Sequence, residues 1–422
     1  MSILKVRGTN DFLPKDTAKW HVIEGLLHQL CREYGYGEIR TPIFENTELF
    51  IRGVGDTTDI VQKEMYTFLD SGGRSLTLRP ENTASACRAY LENKLASAVQ
   101  PVKLYYIGPM FRYERPQAGR FRQFHQFGVE CFGSSSPLCD AEVIALAWEL
   151  FNRAGLNEKT LVLNSVGCPK CRPLHKKALQ DFLRPHLDEL CPLCQDRFAR
   201  NPMRILDCKN PECQAICAEA PNITDYLCEE CRDHFQTVQE LLTAAGIPYT
   251  LNPRLVRGLD YYTKTAFEIQ NEKIGAKGAM CGGGRYDGLA DDIGGVHVPA
   301  VGFAVGIERI LNALEAQGEE IAPPETLDVY IADLDNNAAS AAAAFNLTVQ
   351  LRAMGFRVEQ DLLGRSLKSQ FKQADRLLAQ FVVIVGGEEF QSGKVAIRRM
   401  ADGEQSILPL TDVKSFLLEN EL

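Results

Sequence analysis

The sequence predicts an α+β fold, in which a core built on an antiparallel sheet is followed by a smaller α/β domain. Two strand-like runs, 102–114 and 121–132, are joined by a short polar loop containing a glycine, which is typical of an antiparallel hairpin. After Gly318, Pro323 and Pro324, strand-like and helix-like segments alternate to the end of the chain, as in a mostly parallel sheet. A chain of 422 residues is also long enough for two or three domains.

Helices are expected to flank the sheet of the core. Apolar residues at helical spacing between Trp20 and Tyr34 predict a first helix, with Asp16 as its N-cap. The later elements of the core are expected in this order: helix 138–154, strands 255–270 and 277–285, strand 300–306 and helix 307–317. The tail is expected to run strand 327–334, helix 336–354, strand 356–361, helix 366–380, strands 381–386, 394–399 and 405–409, and helix 411–420.

Composition excludes several classes of protein. Hydrophobic residues make up 45% of the chain and charged residues 24%, which is typical of globular rather than disordered proteins. No apolar run approaches the ~18 residues that span a bilayer. Residues 1–8 lack the apolar core of a secretory signal, so we expect a cytoplasmic protein. The net charge of −9 argues against a general cationic coat for nucleic acid, although a local basic patch is compatible with it.

Nine of the 14 cysteines lie between residues 168 and 231. In a chain without a secretory signal, such a cluster favours metal binding over disulfides. Four of them have zinc-ribbon spacing and are expected to form one closed structural zinc site: Cys168, Cys171, Cys191 and Cys194. A second four-thiolate site is expected from Cys208, Cys213, Cys228 and Cys231. The alternative is that the thiols are free and pack as small apolar side chains.

One face of the second hairpin strand is polar. Side chains alternate along a strand, so Gln126, Gly128 and Glu130 share one face. An amide and a carboxylate on either side of a glycine leave a flat gap, in which a small polar ligand could be held at both ends. An ordinary amphipathic strand with its polar face in water is the alternative interpretation.

Arginines concentrate around the hairpin loop, at positions 112, 115, 120 and 122. In an acidic chain this cluster favours the recognition of phosphate groups, which guanidinium binds bidentately. The sequence has no Walker-type phosphate loop, so side chains would have to hold a nucleotide. A salt-bridged solvent face, with Glu114 as one partner, explains the cluster equally well.

Three more blocks combine glycine with polar residues. Arg257 precedes a glycine and the pair Tyr261–Tyr262, a combination that suits phosphate and a polar ring. Residues 281–288 contain three consecutive glycines, which permit close approach to the backbone, although a tight turn explains them too. Arg309 falls in the first turn of a predicted helix, where a cation is disfavoured unless an anion binds beside it or the side chain reaches solvent.

These blocks, in this order, resemble those of the class II aminoacyl-tRNA synthetases. Residues 41–45, Thr-Pro-Ile-Phe-Glu, are similar to motif 1 of that class, residues 111–130 to motif 2 and residues 302–309 to motif 3. The sequences Leu-Val-Arg-Gly-Leu-Asp-Tyr-Tyr at 255–262 and Cys-Gly-Gly-Gly-Arg-Tyr-Asp-Gly at 281–288 resemble signatures of the histidyl-tRNA synthetase family in particular. The resemblance extends over nearly the whole chain.

The resemblance implies a class II catalytic core over residues 1–323, interrupted by the Cys-rich insertion at 168–240, which we expect to be helical. It implies that residues 326–422 form the α/β anticodon-binding domain. The tail carries a net charge of −3, so contacts with tRNA phosphates would come from a local patch, for which we single out Arg365, Lys368 and Lys372. In the family the proline of motif 1 lies at a dimer interface, which implies a homodimer.

In this family, ATP and histidine form histidyl-adenylate and pyrophosphate, and the histidyl group then moves to the 3′ end of tRNA(His). ATP enters as its Mg²⁺ complex. The resemblance assigns nucleotide contacts to Arg112, Arg120, Phe124 and Arg309. It places Arg257 at the α-phosphate, where a fixed cation stabilises negative charge as the substrate carboxylate attacks. Arg112 and Arg257 are therefore the expected catalytic residues, and no protein nucleophile is needed.

The resemblance also implies how the amino acid and the tRNA are bound. Glu81, Thr83 and Gln126 would bind the α-amino group of histidine. Glu130 and Tyr262, with Tyr261 nearby, would hydrogen-bond its imidazole, whose two nitrogens need two polar partners. The side chains expected to meet the acceptor end of the tRNA are those of Arg115 and Gln117.

Three alternatives remain open at this point. One is a catalytically silent paralogue that binds histidine as a regulatory subunit of histidine biosynthesis. Such paralogues usually lack the tail domain and part of the blocks quoted above, and this chain has all of them. The second is a tRNA-binding or scaffolding protein, which would not need Arg112, Arg257 and Arg309. The third is a class II synthetase for another amino acid, against which Glu130 and Tyr262 argue.

Overall fold

The computed structural model describes residues 3–56, 58–115, 120–271, 278–318, 321–322 and 326–420. The chain divides into two compact units, Met1–Ala322 and Pro323–Leu422. No helix within the described ranges is both long and apolar enough to cross a membrane.

The first unit contains one large and one small sheet. Its strands are β1 (Gly37–Glu38), β2 (Phe44–Asn46), β3 (Tyr66–Leu69), β4 (Ser75–Leu78), β5 (Val102–Phe111), β6 (Gln123–Phe132), β7 (Thr160–Ser165), β8 (Thr250–Leu251), β9 (Thr263–Gln270), β10 (Ala279–Arg285) and β11 (Ala300–Gly306). The eight-stranded sheet has the order β1-β5-β6-β11-β10-β9-β7-β8, and β2-β4-β3 form the small sheet. Strands pair antiparallel throughout the large sheet except at its two edges, β1–β5 and β7–β8, which confirms the predicted architecture.

Helices cover this sheet and build the insertion. They are α1 (Pro14–Glu33), α2 (Thr47–Val54), α3 (Thr83–Glu92), α4 (Pro137–Arg153), α5 (Arg172–Leu183), α6 (Pro192–Arg200), α7 (Pro211–Cys217), α8 (Glu229–Ala244), α9 (Leu289–Asp292) and α10 (Ile307–Gln317). Buried apolar residues of α1, α4, α8 and α10 pack with those of the large sheet in one core. The expected N-cap of α1 was wrong: Leu13 is the N-cap, and Asp16, inside the first turn, accepts a hydrogen bond from the Leu13 N–H at 3.0 Å.

The predicted hairpin is confirmed in full register, from the pair Val102–Phe132 to the pair Phe111–Gln123. The predicted strand over 255–270 is wrong in its first half, because β9 begins only at Thr263. The preceding backbone is bonded to other loops and side chains instead of to a neighbouring strand. For example, the amide of Asn164 donates to the carbonyl oxygen of Leu255 at 3.0 Å.

The insertion leaves the large sheet after β7 and returns to it at β8. These two strands lie side by side and pair in parallel, with Val162 opposite Thr250. Between them the chain forms α5, α6, α7 and α8, joined by short 3₁₀ turns, so the Cys-rich segment is helical as expected. Because β7 and β8 are parallel, the chain must cross back over the sheet between them, and α8, whose buried residues pack in the main core, makes this crossing and so begins near the end of β7.

The second unit is an α/β domain, as predicted. It consists of β12 (Leu327–Asp333), α11 (Ala338–Ala353), β13 (Val358–Gln360), α12 (Leu367–Arg376), β14 (Ala379–Val385), α13 (Gly387–Gln391), β15 (Lys394–Arg399), β16 (Gln405–Pro409) and α14 (Val413–Glu419). The sheet order is β13-β12-β14-β15-β16, with the first three strands parallel and the last two antiparallel. It has a hydrophobic core of its own. The short helix α13 was not predicted.

Candidate functional site

Two adjoining cavities lie over β6, β10 and β11. The first, about 180 Å³, is lined by arginines, and we call it the arginine cavity. The second, about 200 Å³, is lined by Tyr261, Tyr262 and Tyr286, and we call it the tyrosine cavity. Their walls share five residues: Arg112, Gln126, Arg257, Gly282 and Ala304. Ligands bound in the two cavities would therefore meet at this common wall.

The arginine cavity concentrates positive charge. Burial lowers the pKa of Arg309, and the neighbouring charges of Arg120 and Arg112 lower it further. This repulsion disfavours the ligand-free arrangement, and a polyanion bound among the three guanidinium groups would relieve it. Arg309 stands in the first turn of α10, and its Nη1 donates to the carbonyl oxygen of Ala279 on β10.

Arg112 directly follows the end of β5, and the main chain holds its side chain in place. Its Nε donates to the carbonyl oxygen of Pro80 at 2.8 Å, and its guanidinium carbon lies 5.3 Å from the ring centroid of Phe124. Arg120 Nη1 lies 3.0 Å from Glu114 Oε2, so the acidic partner considered as an alternative is also present. Phe124 and the arginines line the same cavity, where an aromatic heterocycle can stack and phosphates can be bound.

Glu130 forms the floor of the tyrosine cavity. Its Oε1 accepts hydrogen bonds from Thr83 Oγ1 at 2.7 Å and from the Tyr106 hydroxyl at 3.1 Å, while Oε2 accepts one from the Tyr286 hydroxyl. The side chain is buried, and this burial raises the pKa of Glu130 to about 8 although the three hydroxyl donors oppose the shift. A buried carboxyl group with a pKa near neutrality can gain or lose a proton when a ligand binds.

The flat gap expected over Gly128 is filled. Tyr106 lies directly opposite in the register of β5 and β6, and a Cβ atom at Gly128 would be 2.4 Å from the Tyr106 hydroxyl oxygen. The glycine therefore makes room for a tyrosine that hydrogen-bonds to Glu130, and the expected ligand position there was wrong. Gly302, on the neighbouring strand, has a similar role, because a Cβ atom there would be 2.0 Å from Glu130 Oε2.

Other polar groups of the tyrosine cavity accept hydrogen bonds. Glu81 accepts from the backbone N–H of Thr83 at 2.8 Å and from that of Ala84 at 3.0 Å, at the start of α3, and burial raises the pKa of its carboxyl group. The Oε1 atom of Gln126 is buried and has no hydrogen-bond partner within the described part of the chain. A carboxylate, a hydroxyl and an unused amide oxygen are the partners that a ligand ammonium group requires.

Arg257 lies where the two cavities meet. It needs the neighbouring glycine, because a Cβ atom at Gly282 would be only 1.7 Å from Arg257 Nη2. Its Nη1 pairs with Glu268 on β9. Its Nε is buried and has no partner among the residues that the structure describes. A positive charge is thus fixed at the common wall, and the Nε–H group of Arg257 can still donate a hydrogen bond.

Tyr261 and Tyr262 line the same cavity, with ring centroids 4.7 Å apart. Strand alternation does not separate the two side chains, because the segment is irregular and β9 begins only at Thr263. Of the two residues expected to meet tRNA, Arg115 is exposed and lies outside both sets of cavity-lining residues. Gln117 falls outside the described residues. Arg122 instead stacks on Tyr113, with its guanidinium carbon 4.1 Å from the ring centroid.

Three residues around the tyrosine cavity and its junction were not predicted from the sequence. Tyr286 belongs to a block that was singled out only for its glycines, and Tyr106 was identifiable only from the register of the hairpin. Glu268 pairs with Arg257 across the fold, and no local pattern connects the two.

The cysteines form two groups of four, but with different members from those expected. One group consists of Cys168, Cys171, Cys228 and Cys231, and we call it the base cluster. The other consists of Cys191, Cys194, Cys208 and Cys213, and we call it the tip cluster. The predicted pairing of Cys168 and Cys171 with Cys191 and Cys194, and of Cys208 and Cys213 with Cys228 and Cys231, was wrong. Cys168 and Cys171 follow the end of β7, and Cys228 and Cys231 lie at the start of α8, the helix that crosses back to the parallel strand β8, so the first and last Cys-x-x-Cys motifs meet.

Both clusters have dimensions that suit a tetrahedral metal. Within each, the four sulfur atoms lie within 4.8 Å of one another, and two of the separations are 3.6 Å for Cys168–Cys171 and 3.8 Å for Cys191–Cys208. Four sulfurs at about 2.3 Å from a zinc ion would be about 3.8 Å apart. Backbone N–H groups also point at the sulfurs, as from Cys228 to Cys171 Sγ at 3.1 Å and from Cys191 to Cys213 Sγ at 3.2 Å.

Comparison with known proteins agrees with this geometry. The profile described as histidyl-tRNA synthetase matches residues 8–310, and the profile described as anticodon binding domain matches residues 328–420. The histidine–tRNA ligase of Desulfitobacterium hafniense is 57% identical over 413 residues, which cover 98% of this chain and 97% of that protein. That of Desulforamulus reducens is 55% identical over 417 residues, 99% of each chain.

A solved structure shows the same fold over the full length. The crystal structure of apo histidyl-tRNA synthetase from S. aureus superposes with a TM-score of 0.83 at 42% identity, covering 99% of this chain and 100% of that one. These similarities confirm the predicted fold class, a class II catalytic core with a Cys-rich insertion followed by an anticodon-binding domain. The chain belongs to the histidyl-tRNA synthetase family.

Proposed function

We propose that this protein is a histidine–tRNA ligase, which activates histidine with ATP to histidyl-adenylate and then transfers the histidyl group to the 3′ end of tRNA(His). The observation that carries the proposal is the pair of adjoining cavities with Arg257 at their common wall. One cavity is suited to a polyanion and the other to a small molecule with an ammonium group and a polar ring. Adenylate formation requires two such ligands to meet end to end.

ATP, as its Mg²⁺ complex, would occupy the arginine cavity. Arg112, Arg120 and Arg309 would bind phosphate oxygens, and Phe124 would stack on the adenine. Burial lowers the pKa of Arg309, and the charges of Arg120 and Arg112 lower it further, so the proximity of these cations supports the assignment because bound phosphate would offset their repulsion. The triphosphate would thus add negative charge to a cavity in which the arginines outnumber the two carboxylates, Glu114 and Glu308.

Histidine would occupy the tyrosine cavity, with its carboxylate directed at the common wall. Glu81, Thr83 and Gln126 would bind the ammonium group, and the buried Gln126 Oε1 without a partner supports this role. Glu130 and Tyr262, with Tyr261 beside them, would bind the imidazole. Burial raises the pKa of Glu130 to about 8, so this carboxyl group can be either protonated or ionised near neutral pH. It can therefore either donate a hydrogen bond to an imidazole nitrogen or accept one from it.

The chemical step then needs only positioning and charge. The carboxylate oxygen of histidine attacks the α-phosphorus of ATP, and pyrophosphate leaves. Negative charge grows on the α-phosphate oxygens in the transition state, and Arg257 and Arg112 on the common wall would stabilise it. The pairing with Glu268 orients the Arg257 guanidinium, which is charged at any physiological pH. The second step transfers the histidyl group to the terminal ribose of the tRNA.

The remaining assignments extend this proposal. Arg115 and Gln117 of the motif 2 loop would meet the acceptor end, and the tail domain would bind the anticodon. The protein would act in the cytoplasm as a homodimer. Within the chain, the motif 1 segment is held by Arg79 Nη1, which donates to the carbonyl oxygen of Thr41 at 3.1 Å, and by the pair Glu45–Arg88 at 2.6 Å.

The insertion would carry structural zinc in the base and tip clusters. All-thiolate sites are closed, so such zinc would stabilise the fold and take no part in the reaction. The sulfur separations and the N–H···S hydrogen bonds described above support this assignment over free thiols that only pack.

The deciding experiment is ATP–pyrophosphate exchange by the purified protein with each of the twenty amino acids in turn, followed by aminoacylation of tRNA(His). We expect exchange with histidine alone. The variant Arg257→Ala should fold normally and lose exchange, whereas Arg115→Ala should retain exchange and lose only the tRNA step. Absence of exchange in a wild-type protein that still binds histidine would favour the regulatory paralogue. Near-normal exchange by Arg257→Ala would contradict the role assigned to that residue.

A further inference from the structure

The residues that hold the end of the tyrosine segment are the immediate neighbours of the base-cluster cysteines. Gly167 precedes Cys168, and its carbonyl oxygen accepts hydrogen bonds from the backbone N–H of Lys264 at 3.0 Å and from Thr263 Oγ1 at 3.1 Å. The backbone N–H of Val166 in turn donates to the carbonyl oxygen of Lys264 at 2.7 Å. The start of the insertion is therefore bonded to the two residues that follow Tyr262.

The other base-cluster neighbours make contacts with the same segment. Arg172 follows Cys171, and its Nη2 donates to the carbonyl oxygen of Tyr262. Glu230 precedes Cys231, and its Oε1 lies 2.8 Å from Lys264 Nζ. Three consecutive residues, 262 to 264, are thus bonded to groups adjacent in sequence to cluster cysteines from both ends of the insertion.

The segment needs this support, because its backbone is not relaxed at Lys264. That residue has a φ angle of +50°, in the left-handed region that side-chain-bearing residues seldom adopt. Its side chain is largely buried. Such a conformation persists only where surrounding contacts hold it. Here the contacts come from the two segments that carry the base-cluster cysteines, one at the start and one at the end of the insertion.

We propose that zinc in the base cluster is a positioning element for the histidine pocket. By joining Cys168 and Cys171 to Cys228 and Cys231, it would fix Gly167, Arg172 and Glu230 against residues 262–264 and so set where Tyr261 and Tyr262 stand. The tip-cluster cysteines pack mostly with apolar residues of the insertion itself. The tip region contacts the tyrosine segment through Asn201, whose Nδ2 donates to Asp260 Oδ1 at 3.0 Å, but Asn201 is seven residues from Cys194, so we expect the tip cluster to lack this role. The inference rests on the proposed function only in taking histidine as the ligand of the tyrosine cavity.

Two cysteines form a matched pair for the test. Cys228 of the base cluster and Cys191 of the tip cluster are both partly exposed, and each is the N-cap of a helix, α8 and α6 respectively. The experiment uses the full-length wild-type protein with Cys228→Ser and Cys191→Ser. For each, bound zinc is measured by elemental analysis of protein purified without a tag, and the KM values for histidine and ATP are measured by pyrophosphate exchange.

We expect about two zinc ions per wild-type chain and about one in each variant. Cys228→Ser should raise the KM for histidine about tenfold or more while the KM for ATP changes less than about threefold, since only the histidine pocket loses its support. Cys191→Ser should leave both KM values within about threefold of wild type. Cobalt(II) bound to the wild type in place of zinc should give the visible absorption of tetrahedral thiolate sites. Both clusters should contribute to this absorption, and each variant should lose the contribution of the cluster that carries its substitution.

Several results would overturn the inference. One is a wild-type zinc content below about half an ion per chain. Another is an equal increase in the KM for histidine in both variants, or zinc loss in Cys228→Ser without any such increase. Arg172→Ala covers the case in which Cys228→Ser fails to fold, since it keeps all four thiolates. It should retain its zinc and still raise the KM for histidine, and an unchanged KM would count against the proposal. Zinc content is independent of activity, and a wild type that fails to exchange with histidine would count against the proposed function alone.

Discussion

A methyl group added at Gly282 should move Arg257 and leave the fold intact. The Cβ atom of an alanine there would lie 1.7, 2.3 and 2.7 Å from Nη2, Cζ and Nη1 of Arg257, and these are the three nearest heavy atoms. All three belong to the far end of a flexible side chain. The sheet itself would therefore accept the methyl group, and the guanidinium would have to leave the common wall.

The size of the effect follows from these distances. Carbon atoms in contact lie about 3.5 Å apart or more, so the guanidinium must move by roughly 2 Å. Displacement of a reacting group by ~1 Å can cost about 100-fold, and removal of one preorganised donor costs about 100- to 1,000-fold in kcat, or ~3–4 kcal/mol. We therefore expect Gly282→Ala to lower kcat for pyrophosphate exchange by at least about 100-fold, with a change in the free energy of unfolding below ~1 kcal/mol.

Two other glycines serve as controls. Gly283→Ala would place its Cβ atom 2.4 Å from the carbonyl oxygen of Gly302 and 2.6 Å from Phe303 Cβ, so the sheet itself must shift and the protein should lose about 1–3 kcal/mol of stability or more. Gly25 lies in α1 with nothing within 4 Å of a built Cβ atom. Gly25→Ala should raise the free energy of unfolding by about 0.5–1 kcal/mol and leave exchange unchanged.

The assay combines pyrophosphate exchange at saturating histidine and ATP with urea denaturation of each variant. If the methyl group acts through Arg257, adding Gly282→Ala to Arg257→Ala should cost little more than Arg257→Ala alone. Exchange by Gly282→Ala within threefold of wild type would refute the reasoning, as would losses that add fully in the double variant.

Three further predictions test other parts of the site and core. Arg309→Ala should raise the KM for ATP by about 10- to 100-fold through the loss of a charge-assisted phosphate contact, whereas Arg122→Ala should leave it within about threefold, and equal effects would argue against the arginine cavity as the nucleotide site. Because burial raises the pKa of Glu130 from 4.5 to about 8, folding favours its protonated form, and the free energy of unfolding should fall as the pH rises through that interval. Glu130→Gln should remove this part of the pH dependence, so parallel stability–pH curves for variant and wild type would contradict the assignment. Asp140→Ala should cost about 3–5 kcal/mol in urea denaturation, since it leaves the buried Arg285 guanidinium without its main partner, and a loss below ~1 kcal/mol would show that Arg285 is otherwise compensated.

Long elements with a clear period were predictable from the sequence. The hairpin, the strand and helix of motif 3 and most of the tail were placed within a few residues, because their apolar residues repeat at the period of a strand or a helix. The polar face of β6 was likewise predicted correctly, because the side chains of a paired strand alternate strictly between its two faces. Gln126 and Glu130 consequently line the tyrosine cavity together.

The failures at the site involve residues far apart in the sequence. Tyr106 fills the space over Gly128 because of the register between strands, which no local pattern encodes. Tyr261 and Tyr262 face the same cavity because the segment before β9 makes hydrogen bonds to residues far away in the sequence rather than to a neighbouring strand. The periodicity of a sequence cannot predict such partners. The cysteine motifs were paired by proximity along the chain, whereas the closure of the insertion pairs the outer motifs with each other.

The parallel pair β7–β8 also bears on how this family can diversify. The chain leaves the catalytic sheet after β7 and returns to it through α8, which packs in the main core, so the segment between β7 and α8 is topologically a large surface loop. The length of such a loop can change without shifting the register of any strand in the sheet, and its closure entropy grows only slowly with length. The insertion is therefore a natural position for exchange between related proteins, or for engineering, provided that a replacement brings its two ends together as the base cluster does.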